Sequence, residues 1–403
     1  MGSMIYLSVG RLEVDWGKNY GFQDHSALFQ PADVRRVSYP YAEGVVRRKP
    51  GLSRPLRDVI PRLDLLGHTL DVAKQEFEAL AAFNDFSLER FPFSALADAL
   101  AAVDVRRVSS EYEEEDVEKF FRREIFPRLD LDRYVADEQV KFEAAMGMEN
   151  LSPYTVLQLL ARNPRNLSLP VVWRFADVER GGYATRESFV RHLDPGQRFL
   201  IVTEGSSDAG ILKHAFKLLR PGIADFFDFV DMQEGYPFSG TGSLFRFVQG
   251  LVSIAVQNRI VVLLDNDAEG VSTHQRIAGL NLPPNMIALR LPDLERFRQF
   301  RTIGPSGEGL ADINGSGAAI ECYLDNGAGA EVRWTNYVDA LGVYQGALVT
   351  KREAMMGFYE VDDASAAYDF SGIGAVLDHI VRGCIGMTQP VVEREFERLR
   401  LDV

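Results

Sequence analysis

The stretch Phe199-Leu200-Ile201-Val202-Thr203-Glu204-Gly205-Ser206-Ser207-Asp208 decides how this chain reads. Four consecutive apolar residues before a turn signal mark a short strand buried on both faces of a parallel sheet. The run ends in an acid, then a glycine turn, then a helix start with Asp208 in its first turn. In open α/β sheets, ligands bind beyond the carboxyl ends of the strands, so Glu204 stands where function is expected.

The pattern returns some sixty residues later in Ile260-Val261-Val262-Leu263-Leu264-Asp265-Asn266-Asp267-Ala268-Glu269-Gly270. A second buried strand ends in Asp-x-Asp, with Glu269 two residues on. If the two strands are neighbours, their acids share one rim. Between and after them the texture predicts helices over 207–219 and 243–256 and strands over 226–230 and 285–291. Strands alternating with helices imply an α/β fold whose parallel sheet is flanked by helices.

Each motif taken singly has a plain alternative, because an acid at a strand end often only caps the next helix. Asp265–Gly270 also matches the opening of an EF-hand loop. That match fails at the twelfth position, where Arg276 stands instead of Glu, and a strand rather than a helix precedes it. A phosphatase of the D-x-D-x-T kind would need Thr in place of Glu269. Both motifs in order favour a metal site. Several carboxylates within a few Å repel and raise one another's pKa, and a divalent cation resolves the conflict. Mg²⁺ takes hard oxygen ligands, and a pair of such ions could serve both sides of a phosphodiester displacement.

Upstream, residues 4–50 look β-rich, with strands over Ile5–Val9 and Arg11–Val14 around Gly10. From about 54 to 163 the period becomes helical. Val59, Leu63, Leu66, Leu70, Ala73 and Phe77 recur on one face, and further helices are expected over 94–103, 113–124, 137–147 and 152–162. Beyond 317 the sequence predicts helices, a hairpin pairing Glu331–Thr335 with Gly346–Val349, and a last helix over 389–400. The expected domains are 4–195, β-rich and then α-helical; 196–316, the α/β core; and 317–403, an extension completing the site.

The 403 residues carry a net charge of -14, which argues against a purely electrostatic nucleic-acid binder. Local basic clusters remain candidate phosphate contacts: Arg47, Arg48 and Lys49 within a run from Arg35 to Arg57, and Arg296 and Arg298 within Arg290 to Arg301. A solvated hairpin face is an equally good reading of the first. Cys322 and Cys384 have no metal-ligand spacing, so zinc is not expected. No apolar run is long enough to span a membrane, and no charged-then-apolar leader opens the chain, so a cytoplasmic protein is expected.

These motifs resemble the Toprim domain of topoisomerases, primases and certain nucleases, which shows Glu-Gly after its first strand and Asp-x-Asp after a later one. Glu204-Gly205 and Asp265-Asn266-Asp267 occupy those places. Glu204 to Asp208 reproduces the Glu-Gly-x-x-Asp of the overcoming-lysogenization-defect nucleases. Ile320-Glu321-Cys322-Tyr323-Leu324 is similar to their later Ile-Glu-x-Tyr-Leu. Their Ser-x-Lys has only Val349-Thr350-Lys351 as a counterpart, without the serine. The resemblance implies a metal-dependent nuclease of prokaryotic antiviral defence or genome conflict, using Mg²⁺ or Mn²⁺ as two ions. Glu204, Asp265, Asp267, Glu269 and Glu321 would serve the metal, and Asp208 and Lys351 would complete the catalytic set. No GxxxxGK[ST] loop is present, so nucleotide control would come from a partner.

Leu12-Glu13-Val14-Asp15-Trp16-Gly17-Lys18-Asn19 resembles a module found ahead of HEPN or Toprim domains. The pairs Arg62–His68 and Arg186–His192 match HEPN spacing loosely, and packing or surface roles are favoured for both. Expected partners are nucleic acid, DNA or RNA, with a defence-system protein and self-association as further options. The rival readings are a catalytically silent regulator and a primase- or topoisomerase-like strand-handling protein.

Overall fold

Gly10, at φ +57°, turns the first strand back on itself. Strands β1 (Met4–Val9) and β2 (Leu12–Lys18) pair antiparallel from Val9↔Leu12 out to Met4↔Lys18. A computed structural model describes the whole chain except residues 1, 42–44, 84–90, 110–119, 130–147, 149, 231–240, 306, 328, 340, 366 and 402–403, with no side chain described for 399–401. The chain falls into two units, Met1–Leu193 with Thr388–Val403, and Asp194–Met387.

In the first unit, β3 (Val34–Pro40) and β4 (Val46–Pro55) form a second hairpin, and β5 (Pro170–Arg174) joins the two. The order is β2-β1-β5-β4-β3, antiparallel throughout. Trp173 of β5 faces Leu7 on one side and Leu52 on the other, and all three are buried. Helices α1 (Leu56–Leu65), α2 (Leu70–Phe83), α3 (Phe93–Ala102) and α4 (Pro153–Ala161) share the core with the sheet. A fifth, α5 (Ala176–Arg180), is short.

The apolar series from Val59 to Phe77 is split between two helices rather than lying along one. Gly67, at φ +95°, stands between α1 and α2. Val59, Leu63, Ala73 and Phe77 are buried, whereas Leu70 is exposed. The helices expected over 113–124 and 137–147 lie outside the described residues save for 120–124, where Phe121–Ile125 forms one wide helical turn.

The second unit is built on β6 (Phe199–Val202), α6 (Ser206–Leu219), β7 (Phe227–Phe229), α7 (Thr241–Ser253), β8 (Arg259–Leu264), β9 (Asn266–Asp267), α8 (Ala268–Ala278) and β10 (Met286–Arg290). Its main sheet is parallel, in the order β10-β8-β6-β7. The two strands that carry the acidic motifs are therefore neighbours, with Val202 opposite Val262. A second sheet, β12-β11-β14-β15, uses β11 (Phe300–Gly304), β12 (Gly307–Ala311), β14 (Val332–Val338) and β15 (Val343–Leu348). The expected hairpin is present and longer, running from Val332↔Leu348 to Val338↔Val343. Strand β13 (Gly317–Ala318) pairs with β9, Gly317 opposite Asp267.

Helices α9 (Lys351–Tyr359) and α10 (Ser371–Leu401) close the chain. Helix α10 starts well before residue 389. Its early glycines dilute the helical signal, yet Ile373, Val376, Leu377, Ile380 and Cys384 are buried at three- and four-residue steps. Among the described residues no helix is long and apolar enough to cross a membrane.

Candidate active site

Glu204 lies just past the end of β6, half-buried, and its Oε1 is buried without a hydrogen-bond partner. The turn that follows is held locally. Thr203 Oγ1 donates to Gly205 O at 2.9 Å, and Gly205 N donates to Asp208 Oδ2 at 3.0 Å. Asp208 is buried in the first turn of α6, where its charge suits the exposed amides of the helix start, and Ser207 Oγ donates to its other oxygen at 3.2 Å.

The second strand delivers its acids by a different device. Asp265 follows β8 directly, and its Oδ1 accepts from Ile320 N at 3.0 Å. Asp267 caps α8, accepting from Gly270 N at 2.7 Å, while its Oδ2 accepts from Gln345 Nε2 at 2.5 Å. A Cβ on Gly270 would stand 2.1 Å from the Asp265 carbonyl oxygen, so only glycine permits this turn. Glu269 is exposed, and its backbone amide donates to Gln345 Oε1 at 3.1 Å.

The Ile320–Tyr323 segment forms a single helical turn that presents Glu321, fully buried. Lys351 Nζ, at the start of α9, pairs with Glu321 Oε1 at 3.0 Å. Beyond that ion pair neither Glu321 oxygen has a hydrogen-bond donor. The structure thus brings Lys351 to the acids although the serine of the resembled motif is absent.

The acids feel one another. Burial, then the charges of Asp267, Asp208 and Glu269, push Glu204 up to about 8. Burial, then Asp208, Asp267, Glu204 and Glu321, hold Asp265 well above the usual carboxylate range. Asp208 is raised by burial and by Glu321, against the opposing pull of Lys351. Asp267 is raised by burial, in part offset by the Gly270 and Gln345 hydrogen bonds. Burial disfavours the Lys351 charge, but Glu321, Asp208 and Asp265 outweigh it and raise the pKa.

Every candidate ligand atom in this cluster is a carboxylate oxygen; Glu204 Oε1 is buried without a hydrogen-bond partner, and the Glu321 oxygens meet no donor besides the Lys351 ammonium. That chemistry fits a hard divalent cation. As the side chains stand, no three His, Cys, Asp or Glu among the described residues form a ready-made cage. Asp208 and Asp267 have both oxygens engaged by the chain itself.

Three contributors carry no signal in the sequence. Gln345 bridges Asp267 and Glu269. Asn266, fully buried, accepts from Arg290 Nη1 and Gly315 N, both at 2.7 Å, and donates to Asp293 Oδ1 at 2.9 Å and Tyr323 Oη at 3.3 Å. Tyr359 Oη lies against Gly210 of α6, two residues on from Asp208, and its pKa is raised by burial and then by Asp208 and Glu321.

Most of the candidate basic contacts already have partners. Lys49 pairs with Asp177 and packs on the rings of Tyr39 and Tyr41. Arg48 and Arg36 each donate to the other's carbonyl at 2.8 Å, and Arg47 lies over Tyr41. Arg296 pairs with Asp369 at 3.1 Å and Arg298 with Glu295 at 3.2 Å. Arg62 is fully buried, donating to Ala27 O and Phe29 O, and His68 packs edge-on against Tyr154, so that pair has a packing role. Arg186 faces Glu179 at 3.8 Å. Cys322 is buried among acids, and burial pushes its thiol up, away from nucleophilic use.

Residues 1–197 match the family described as HEPN/Toprim N-terminal domain 1. This agrees with the resemblance carried by Leu12 to Asn19. No curated protein and no solved structure matches the chain.

Proposed function

We propose that the chain is a divalent-metal-dependent nuclease of the Toprim kind, close to the overcoming-lysogenization-defect nucleases. It would hydrolyse phosphodiester bonds of DNA or RNA in prokaryotic antiviral defence or genome conflict. One observation carries this reading. Glu204, Asp208, Asp265, Asp267 and Glu321 gather beyond the carboxyl ends of adjacent parallel strands, the first and third half-buried and the others buried, and repel one another. A chain gains nothing from such a cluster unless a cation relieves it. The family name matched by residues 1–197 supports a nuclease-type function in general.

In this reading Glu204, Asp265 and Asp267 hold Mg²⁺ or Mn²⁺, with Glu269 and Glu321 completing the shell. Two bound ions would activate water and stabilise the leaving oxygen. The chain's own part is positional. Asp265 is oriented by the Ile320 amide and Asp267 by Gln345. Lys351, held by Glu321, offers a fixed positive charge to the phosphate. Asp208 fixes the Glu204 turn through the Gly205 amide.

The test is a cleavage panel of plasmid, single-stranded DNA and tRNA in Mg²⁺ or Mn²⁺. Cleavage lost in excess chelator and in Asp265→Ala supports the reading, and cleavage that survives either one overturns it. A second reading, a catalytically silent regulator, is favoured by the full engagement of Asp267 as a helix cap. No cleavage of any substrate would decide for it.

A further inference from the structure

The second sheet of the α/β unit has one covered and one open face. Val332, Thr302 and Leu348 are in register across β14, β11 and β15, and all three are buried. Side chains alternate along a strand, so their neighbours share the other face. Arg333 lies there, opposite Ala347 of β15 and Ile303 of β11. Arg301 stands two residues from Ile303 on the same face, and Gln345 two residues from Ala347. Arg333, Ala347 and Arg301 are exposed.

Gln345 is the residue that reaches Asp267, so this open face begins at the acid cluster. Arg333 stands one strand over from Ala347, about 4.8 Å away, and Arg301 one strand further and two residues along from Ile303, so the row runs diagonally away from Gln345. Among the described residues neither guanidinium has an ion-pair or hydrogen-bond partner. This separates them from Lys49, Arg296 and Arg298, all of which are paired with acids. In a chain of net charge -14, exposed arginines without an acid partner beside a carboxylate site are free to take an anionic occupant. Glu308, opposite Ile303 on the edge strand β12, bounds the strip.

We infer that this face is the track for a nucleic-acid strand, with Arg333 and Arg301 holding its phosphodiester backbone and Gln345 marking where the strand meets the acids. The inference rests on the nuclease reading of that site and names how its substrate is held. Phosphate contacts of this kind position a strand without reading its sequence.

The experiment is anisotropy of fluorescein-labelled oligonucleotides of about 20 nucleotides, as single-stranded DNA, single-stranded RNA and duplex DNA, across a KCl series. The full chain is used, in Mg²⁺ and again in chelator, with cleavage followed on gels in parallel. Arg301→Ala/Arg333→Ala is compared with wild type and with Arg298→Ala. The double variant should bind every sequence more weakly, and its log-affinity against log-salt slope should flatten by about 1.4 on a single strand. Arg298→Ala should keep the wild-type slope. An unchanged slope in the double variant overturns the track while leaving wild-type cleavage to support the acid site. The expected flattening without cleavage by wild type keeps the track and overturns the nuclease reading. Wild-type protein that neither binds nor cleaves overturns both.

Discussion

The side-chain amide of Gln345 donates to Asp267 Oδ2 at 2.5 Å while its carbonyl accepts from the Glu269 backbone amide at 3.1 Å. One neutral side chain from the second sheet thereby fixes the orientation of the Asp-x-Asp turn. Replacing Gln345 with Ala should lower turnover severalfold with little change in substrate affinity, and should cost roughly 1 kcal/mol in stability. Gln345→Glu sets a like charge against Asp267 and should be the worse variant. Steady-state cleavage kinetics beside denaturant melts check both. A variant that loses affinity instead of turnover would remove Gln345 from the positioning role.

Asp267 both caps α8 and belongs to the acid cluster, and these two duties separate by substitution. Asn is as good an N-cap as Asp, so Asp267→Asn should keep the fold and lose cleavage. Asp267→Ala should lose cleavage and about 1 kcal/mol besides. Adding Mg²⁺ or Mn²⁺ should raise the Tm of the wild type and not that of Asp267→Asn, because a ligand stabilises only the state that binds it. Equal metal-induced shifts in the two proteins would place the ion elsewhere.

Glu204 has an oxygen with no donor and a carboxyl raised to about 8 by burial and by its acidic neighbours. Glu204→Gln removes the ionisable carboxyl, and whatever repulsion its charged form meets, at nearly constant shape. In chelator its Tm should match or exceed that of the wild type, while cleavage in Mg²⁺ falls by orders of magnitude. Thermal melts in chelator are the check. A strongly destabilised Glu204→Gln would make the residue structural.

Burial lowers the His68 pKa from 6.5 to about 4. Between those values the unfolded chain binds the proton and the folded one does not, so stability rises with pH across this window and falls as pH drops through it. The loss on acidification from about 6.5 to about 4 should approach 3 kcal/mol for the first unit. His68→Phe keeps an aromatic ring against Tyr154 and should flatten this limb. Denaturant midpoints across pH 4 to 7 measure it.

Lys49 pairs with Asp177 and sits on two tyrosine rings. Lys49→Met should therefore cost roughly 1 kcal/mol of stability and leave the salt slope of nucleic-acid binding unchanged. Replacing Arg47 and Arg48 together tests the exposed part of the same hairpin. A flattened slope in that variant alone would assign phosphate contact to the arginines and not to the lysine.

What the sequence made legible follows periodicity and local chemistry. Buried runs such as Phe199–Val202 and Ile260–Leu264 announce themselves, and so do acids at their ends. The β1–β2 hairpin is readable from Gly10. Strand β5 is not, because it opens with Pro170 and has neighbours that come from distant parts of the chain. The break at Gly67 hides inside a continuous helical period. Gln345 and Tyr359 reach the site only through tertiary packing, and a single Gln or Tyr has no spacing to betray it; Asn266 lies within the motif, but its partners come from distant parts of the chain. The basic residues are a different case. Charge runs are visible in a sequence, but whether a guanidinium is already paired with an acid, as Arg296 and Arg298 are, depends on which acid folds beside it.

Asn266 occupies the letter that the Asp-x-Asp pattern leaves blank. Its side chain, out of sight of solvent, makes five hydrogen bonds, to Arg290, Gly315, Asp293, Asn314 and Tyr323. A random-mutagenesis screen for inactive clones would therefore recover position 266 as readily as either flanking aspartate. Such a screen would rank a residue that touches no reacting atom among the chemical ones. Sorting the hits by soluble yield before scoring them for activity would pull position 266 away from Asp265 and Asp267.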